Sequence, residues 1–237
     1  KHLFSEKPIT LSLEDFDDLV SISQKNNVKI VSAPANYLTN YCRALKDYLP
    51  KIGKLKTVVG MITEKDVPYH QLKNPLNMEW NITDEFNVGC NLEHAGYLLS
   101  LLTTLLGNVK HISTQKALSK FTKEYGGKRY LCSTPDIYRS ELMIGDVPVM
   151  MINAITGGHD KSVTFYGEDG TIKLDNIWDY HSKIFLNDNI IDYENDELKQ
   201  EWILRMDLMR PIHYFNNDHK KDNLLSMEQL RNILEVM

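Results

Sequence analysis

The sequence predicts an α+β chain from three observations. Residues 3–31 read as strand, helix, strand; residues 91–106 read as one long apolar helix; and residues 109–186 break into short alternating runs separated by turn signals. The first pattern is a βαβ unit with parallel strands, because a helical crossover returns the chain in the same direction. The last is an antiparallel meander, which needs only tight turns.

Leu3 and Phe4 read as the tail of a buried strand, and Glu6-Lys7-Pro8 as a sharp exit from it, since proline cannot donate to a ladder. Ser12 stands at an N-cap position, with Asp15 in the first turn and Leu13, Phe16, Leu19 and Val20 forming an apolar stripe. Val28-Lys29-Ile30-Val31 is the second strand. One βαβ unit cannot cover both faces of a parallel sheet, so further strands are expected upstream of Lys1. Ala33-Pro34-Ala35-Asn36 ends the strand, and residues 37–49 resume helical spacing until Pro50 and Gly53 stop it. The alternation from Leu55 to Thr63 marks a new strand, which divides the chain into domains at residues 1–53 and 54–237.

Residues 64–89 are polar and rich in Pro, Asn and aromatic side chains, and a long functional loop is expected there. The following helix places Leu92, Ala95, Leu98, Leu99, Leu102 and Leu106 at helical spacing, with Gly107 as its stop. The meander runs cover residues 129–132, 138–144, 147–155, 163–166 and 171–174, with turns at Gly145-Asp146 and Gly167-Glu168-Asp169-Gly170. Residues 197–215 and 226–235 return to helical spacing, the second capped by Ser226.

Composition excludes several classes. The chain has 237 residues, 42% hydrophobic and 25% charged, which suits a folded core, and its net charge of -5 with no basic block argues against nucleic acid as the main partner. Gly126-Gly127, flanked by Lys123 and Lys128-Arg129, reads as a solvated turn. Cys42, Cys90 and Cys132 show no CxxC spacing, so neither a disulfide framework nor a zinc site is expected, and a cytoplasmic setting fits. The longest apolar segment, residues 97–106, is interrupted by Ser100, Thr103 and Thr104 and is too short to span a bilayer, so no membrane is expected. His159-Asp160 and His213…His219 lack the i, i+4 spacing that pairs imidazoles on a helix, and no metal is assigned.

Taken together, Lys1-His2, Glu6-Lys7-Pro8, the strand to Ser32, the helix closed by Lys51-Ile52-Gly53, Glu93 with Tyr97 before Leu105-Leu106-Gly107, and Tyr166-Gly167-Glu168-Asp169-Gly170-Thr171-Ile172 form an ordered set. This set resembles the glucose-fructose oxidoreductase, inositol dehydrogenase and MocA family of NAD(P)-dependent sugar oxidoreductases. The resemblance implies a mostly antiparallel, open-faced sheet with helices on one face, preceded by the last βαβ unit of a truncated Rossmann domain. It implies NAD or NADP as cofactor, a sugar, cyclitol or related polyol as substrate, and a homodimer or higher homo-oligomer assembled through the open sheet face.

The same resemblance implies the site. Lys7, Tyr97 and Glu93 are the expected catalytic residues, Asn36 is expected on the substrate, and Glu6, Lys7 and Pro8 beside the cofactor; from their placement, His94, three residues before Tyr97, and Trp80, an aromatic of the long loop able to stack on a sugar ring, are also expected on the substrate. Tyrosine ionises near pH 10 when unperturbed, so a neighbouring Lys7 ammonium is what would make Tyr97 a useful base, and Glu93 lies one turn earlier on the same helical face. Structural alternatives stand beside these roles: an exposed strand-end lysine for Lys7, helix packing and capping for Tyr97 and Glu93, a structural histidine for His94, a turn residue for Asn36 and a loop anchor for Trp80.

The chain departs from the family pattern at Glu93, where the family has Asp, at Tyr97, where it commonly has His, and at Ser100, where a further Asp is common. No Gly-x-Gly-x-x-Gly loop occurs in these residues, so cofactor binding is expected to need an upstream segment. The alternative function is a non-catalytic binding or dimerisation module that has lost the nucleotide domain.

Overall fold

The computed structural model describes residues 1–34, 36–64, 82–119, 122–125, 128–131, 133–155, 158–179, 181–193 and 224–237. Two short strands, β1 (Leu3–Ser5) and β2 (Ile30–Ser32), pair in parallel with Leu3 opposite Ile30. They are joined by helix α1 (Leu13–Lys25), whose Ser12 cap accepts from the Asp15 backbone N–H and whose Phe16 is buried. A 3-10 turn at Asn36–Leu38 leads into α2 (Asn40–Tyr48), and a second at Leu49–Ile52 ends on Gly53 at φ 71°. The left-handed region favours glycine there, and the chain turns directly into β3 (Leu55–Glu64).

Helix α3 (Ile82–Leu106) begins earlier than the sequence suggests, because residues 82–88, expected as loop, form its first turns. Gly89 takes φ 75° inside it and sets off the long segment predicted from the apolar spacing. That segment is buried on several sides: Ala95, Leu98, Leu99, Leu101 and Leu102 are fully enclosed. A Cβ on Gly60 of β3 would overlap the Leu98 side chain, so glycine at that position lets the helix lie close to the sheet. Each fully buried leucine contributes roughly 1.5–3 kcal/mol of apolar transfer, which makes this contact the centre of the core.

The remaining strands are β4 (Val109–Ala117), β5 (Thr122–Tyr125), β6 (Lys128–Leu131), β7 (Ile137–Ile144), β8 (Val147–Ile155), β9 (Val163–Gly167), β10 (Thr171–Leu174), β11 (Ile184–Leu186) and β12 (Asn189–Ile191). β5 and β6 form a separate hairpin. The other seven join β3 in one sheet of order β12-β11-β10-β9-β3-β8-β7-β4, antiparallel throughout except for the parallel pair β3 and β8. This is the expected α+β architecture. Helix α4 (Met227–Val236) closes the fold with a reciprocal Ser226–Gln229 capping box, and Arg231 reaches Asp17 of α1 with two hydrogen bonds that hold the Asp17 carboxyl below its usual range. The helix expected at residues 197–215 lies outside the described residues.

Inward side chains of β7 and β8, such as Leu142, Ile144, Val149 and Met151, are buried, while Arg139, Glu141, Met150 and Ile152 alternate onto the opposite face. There Val59 lies opposite Met150, and Met61 opposite Ile152, giving a half-buried apolar strip across β3 and β8. Among the described residues no helix is long and apolar enough to cross a membrane, and no group of three His, Cys, Asp or Glu is arranged to hold a metal.

Gly167 fixes the seam between the N-terminal turn and the sheet, since a Cβ there would overlap the Ile52 carbonyl, which already accepts from the Asp169 N–H. Gly167→Ala is expected to lower the urea midpoint by an amount equivalent to about 1–3 kcal/mol, measured by equilibrium unfolding.

Candidate functional site

Lys7 leaves β1 just before Pro8, across a cis peptide bond, and points at the middle of α3. Its ammonium donates to the Glu93 backbone oxygen at 2.9 Å and forms an ion pair with the Glu93 carboxylate; the two side chains are 15% and 18% exposed. The contact joins residues 86 positions apart in sequence. Tyr97 lies one turn beyond Glu93, with the Lys7 ammonium 5.8 Å from its ring centre. Partial burial of both charges is tolerable because each meets the other and the ammonium also meets the Glu93 backbone oxygen.

The facing wall comes from the sheet. Glu64 ends β3, Lys161 precedes β9, and Trp178 follows β10. Lys161 Nζ lies 3.0 Å from Glu64 Oε1 and 4.2 Å above the Trp178 ring, a cation–π contact. His94 Nε2 is 3.6 Å from the other Glu64 oxygen, and the His94 and Tyr97 rings stand 5.1 and 5.2 Å from Trp178. These groups, with Glu93 and His159, enclose a cleft of about 360 Å³.

Trp178 is held from behind. Asn36 Nδ2 and the Tyr41 hydroxyl, both on buried side chains, donate to the same carbonyl, that of Ile177, at 2.5 and 2.9 Å. The Ile177 N–H in turn donates to the Lys161 carbonyl at 2.8 Å. The N-terminal unit therefore sets where Trp178 and Lys161 stand in the cleft.

The structure brings Glu93, His94 and Tyr97 into this one cleft, and Lys7 meets it through its ion pair with Glu93. It does not bring Asn36 there: that residue was expected on the substrate, but its amide is spent on Ile177 behind the wall. Glu6 is exposed, its carboxylate accepting from the Lys7 backbone N–H. Trp80 lies outside the described residues. Glu64, Lys161, Trp178 and His159 were not singled out for the site from the sequence. Glu64 had a usable signal, its place at the carboxyl end of a strand, where ligands of open sheets commonly bind. Lys161 and Trp178 had none, because only tertiary pairing brings their segments to α3.

A dinucleotide is fitted only in part. Beside Lys7 and Pro8 the described residues leave a cavity of about 30 Å³, enclosed by Pro34, Gly96 and the apolar side chains of α4. That is room for about one water. The sequence holds no Gly-x-Gly-x-x-Gly loop of the kind that cradles a pyrophosphate.

No family model matches the sequence, and no curated protein matches it. Solved structures do match its fold. A 3-ketoreductase from Actinomadura kijaniata, in complex with NADP and TDP-benzene, superposes with a TM-score of 0.72 at 12% identity, over 99% of this chain and 68% of its own. An oxidoreductase from Thermotoga maritima gives 0.70 at 18% identity, covering 98% and 66%. A biliverdin reductase from Synechocystis, in complex with biliverdin and NADP+, gives 0.66 at 15%, covering 100% and 69%. The chain shares the fold of NAD(P)-dependent oxidoreductases and spans about two thirds of their length.

Asn36→Ala and Tyr41→Phe should each shift the emission of Trp178, recorded in a Trp80→Phe, Trp202→Phe background. Each should also lower stability by about 1–3 kcal/mol, the cost of leaving a buried carbonyl short of a donor. The double variant should cost more than either single one, because the two donors share one oxygen.

Proposed function

We propose that this chain carries the substrate-binding part of an NAD(P)-dependent oxidoreductase of the glucose-fructose oxidoreductase, inositol dehydrogenase and MocA family, acting on a sugar, cyclitol or related polyol. The observation that carries it is the meeting of Lys7, from a segment distant in sequence, with Glu93 and the Tyr97 ring at the edge of the cleft. The shared fold with NADP-bound oxidoreductases supports the same class. In this reading residues 1–53 are the end of the nucleotide domain and 54–237 the substrate domain.

When bound, nicotinamide supplies or accepts the hydride. The chain's own residues manage the proton. Lysine has three N–H donors, and Glu93 takes two of those of Lys7, which leaves the third for the oxygen of a reacting hydroxyl. Glu93 thereby orients the ammonium, and the adjacent Tyr97 phenol exchanges the hydroxyl proton, a transfer worth roughly 10²–10⁴-fold when well placed.

With the complete protein, Lys7→Met and Tyr97→Phe are each expected to lower kcat by about 10²–10⁴-fold with smaller changes in KM. Unchanged hydride transfer in both variants would end the assignment. A second reading is a non-catalytic binding or dimerisation module. Calorimetric titration with NADP(H) separates the two: tight binding sinks the non-catalytic module.

The outer sheet face, with Val59, Met61, Met150 and Ile152 adjacent across β3 and β8, is assigned to a subunit contact between copies of this chain. Apolar strips of this kind are covered in assemblies with two-fold symmetry. Analytical ultracentrifugation should give a dimer or larger species, and Ile152→Glu should shift it toward monomer.

A further inference from the structure

The hydride-transfer chemistry leaves Glu64 and Lys161 without a role, yet both stand in the cleft with side chains only 17% and 11% exposed. Taking an ion pair this far out of water costs more than its mutual attraction readily returns. Neither charge is exhausted by the pairing. The ammonium has two further donors, and the carboxylate has acceptor sites beyond those facing Lys161 and His94.

Across the cleft, Lys7 and Glu93 repeat the same arrangement. One wall thus offers the Lys161 ammonium beside the Glu64 carboxylate, the other the Glu93 carboxylate paired with Lys7, and the four formal charges cancel. A hydroxyl both donates and accepts, so two neighbouring hydroxyls on a ring satisfy such a pair, one accepting from Lys161 and the other donating to Glu64. A carboxylate or phosphate on the same ring would gain Lys161 only by facing Glu64, and a desolvated like-charge contact is a strong rejection device. Stacking is not what this wall offers, because the Trp178 face already carries the Lys161 ammonium.

We propose that Glu64 and Lys161 form a hydroxyl-recognising subsite that takes the vicinal diol of an uncharged ring and rejects the same ring bearing a carboxylate or phosphate. This rests on the cleft being a polyol site. His94 Nε2 stands 3.6 Å from the far oxygen of Glu64, and Trp178, fixed through Ile177 by Asn36 and Tyr41, supports Lys161 from below.

The test is equilibrium binding to the full chain without cofactor, by ligand-detected NMR, with D-glucose and myo-inositol as neutral probes and D-glucuronate as the charged one. The wild-type chain should bind at least one neutral probe about tenfold or more tighter than glucuronate. Glu64→Gln, which leaves Lys161 unpaired, should narrow or invert that ratio. Lys161→Gln should weaken the neutral probe about tenfold without favouring glucuronate. Thermal melts confirm that the variants are folded; should one fail to fold, the wild-type ratio and the other variant still decide.

Equal or tighter binding of glucuronate by the wild type, binding of neither neutral probe, or a ratio unmoved by Glu64→Gln would overturn the subsite. Neutral binding without hydride transfer in the complete protein would overturn the oxidoreductase assignment and leave the subsite standing. Hydride transfer with glucuronate preferred would do the reverse.

Discussion

Burial of α3 against the middle of the sheet is the constraint on which the rest depends. The helix fits because Gly60 has no side chain to keep Leu98 away, and because Leu99, Leu101 and Leu102 find apolar neighbours on more than one side. With its axis fixed, the turn from Glu93 to Tyr97 can face only the space between the N-terminal unit and the carboxyl end of β3. Packing energy spent far from the cleft therefore determines the geometry inside it.

The cleft is an assembly of paired charges on an aromatic base. Lys7 with Glu93 and Lys161 with Glu64 are each held by a further contact, to a backbone oxygen in one case and an indole face in the other. Two buried donors on a single carbonyl place that indole. The two ion pairs thus rest on separate supports, one running through β1 and the other through the 3-10 turn and α2.

Much of this was legible in the residues. Ser12 and Ser226 announced their helices, since a hydroxyl before an apolar stripe has one good use, and the alternation from Val147 to Ile155 gave β8 to the residue. The expected Lys7–Glu93–Tyr97 neighbourhood rested on a family pattern, because nothing local in Glu6-Lys7-Pro8 says what lies 86 residues away. The first turns of α3 were hidden by Asn87 and Gly89, which read as loop residues although the chain passes through the glycine into helix again. The cleft expectation for Asn36 rests on the family resemblance; which partner its amide meets depends on Ile177, 141 positions on. Lys161 and Trp178 become site residues only through pairings between segments, which periodicity cannot express.

The parallel pair of β3 and β8 has a consequence for how the chain folds. Strands β9 to β12 form a wing of consecutive hairpins, and β4, β7 and β8 form another, yet the wings meet only on the two edges of β3. Hairpins close over short loops and form early, whereas a strand inserted between two wings must wait for both and bear the larger loop entropy. β3 is thus the last seam to zip. Its final residue is Glu64, so the cleft acquires its second carboxylate in the same event that completes the sheet, and a partly folded chain lacks that half of its charge pattern.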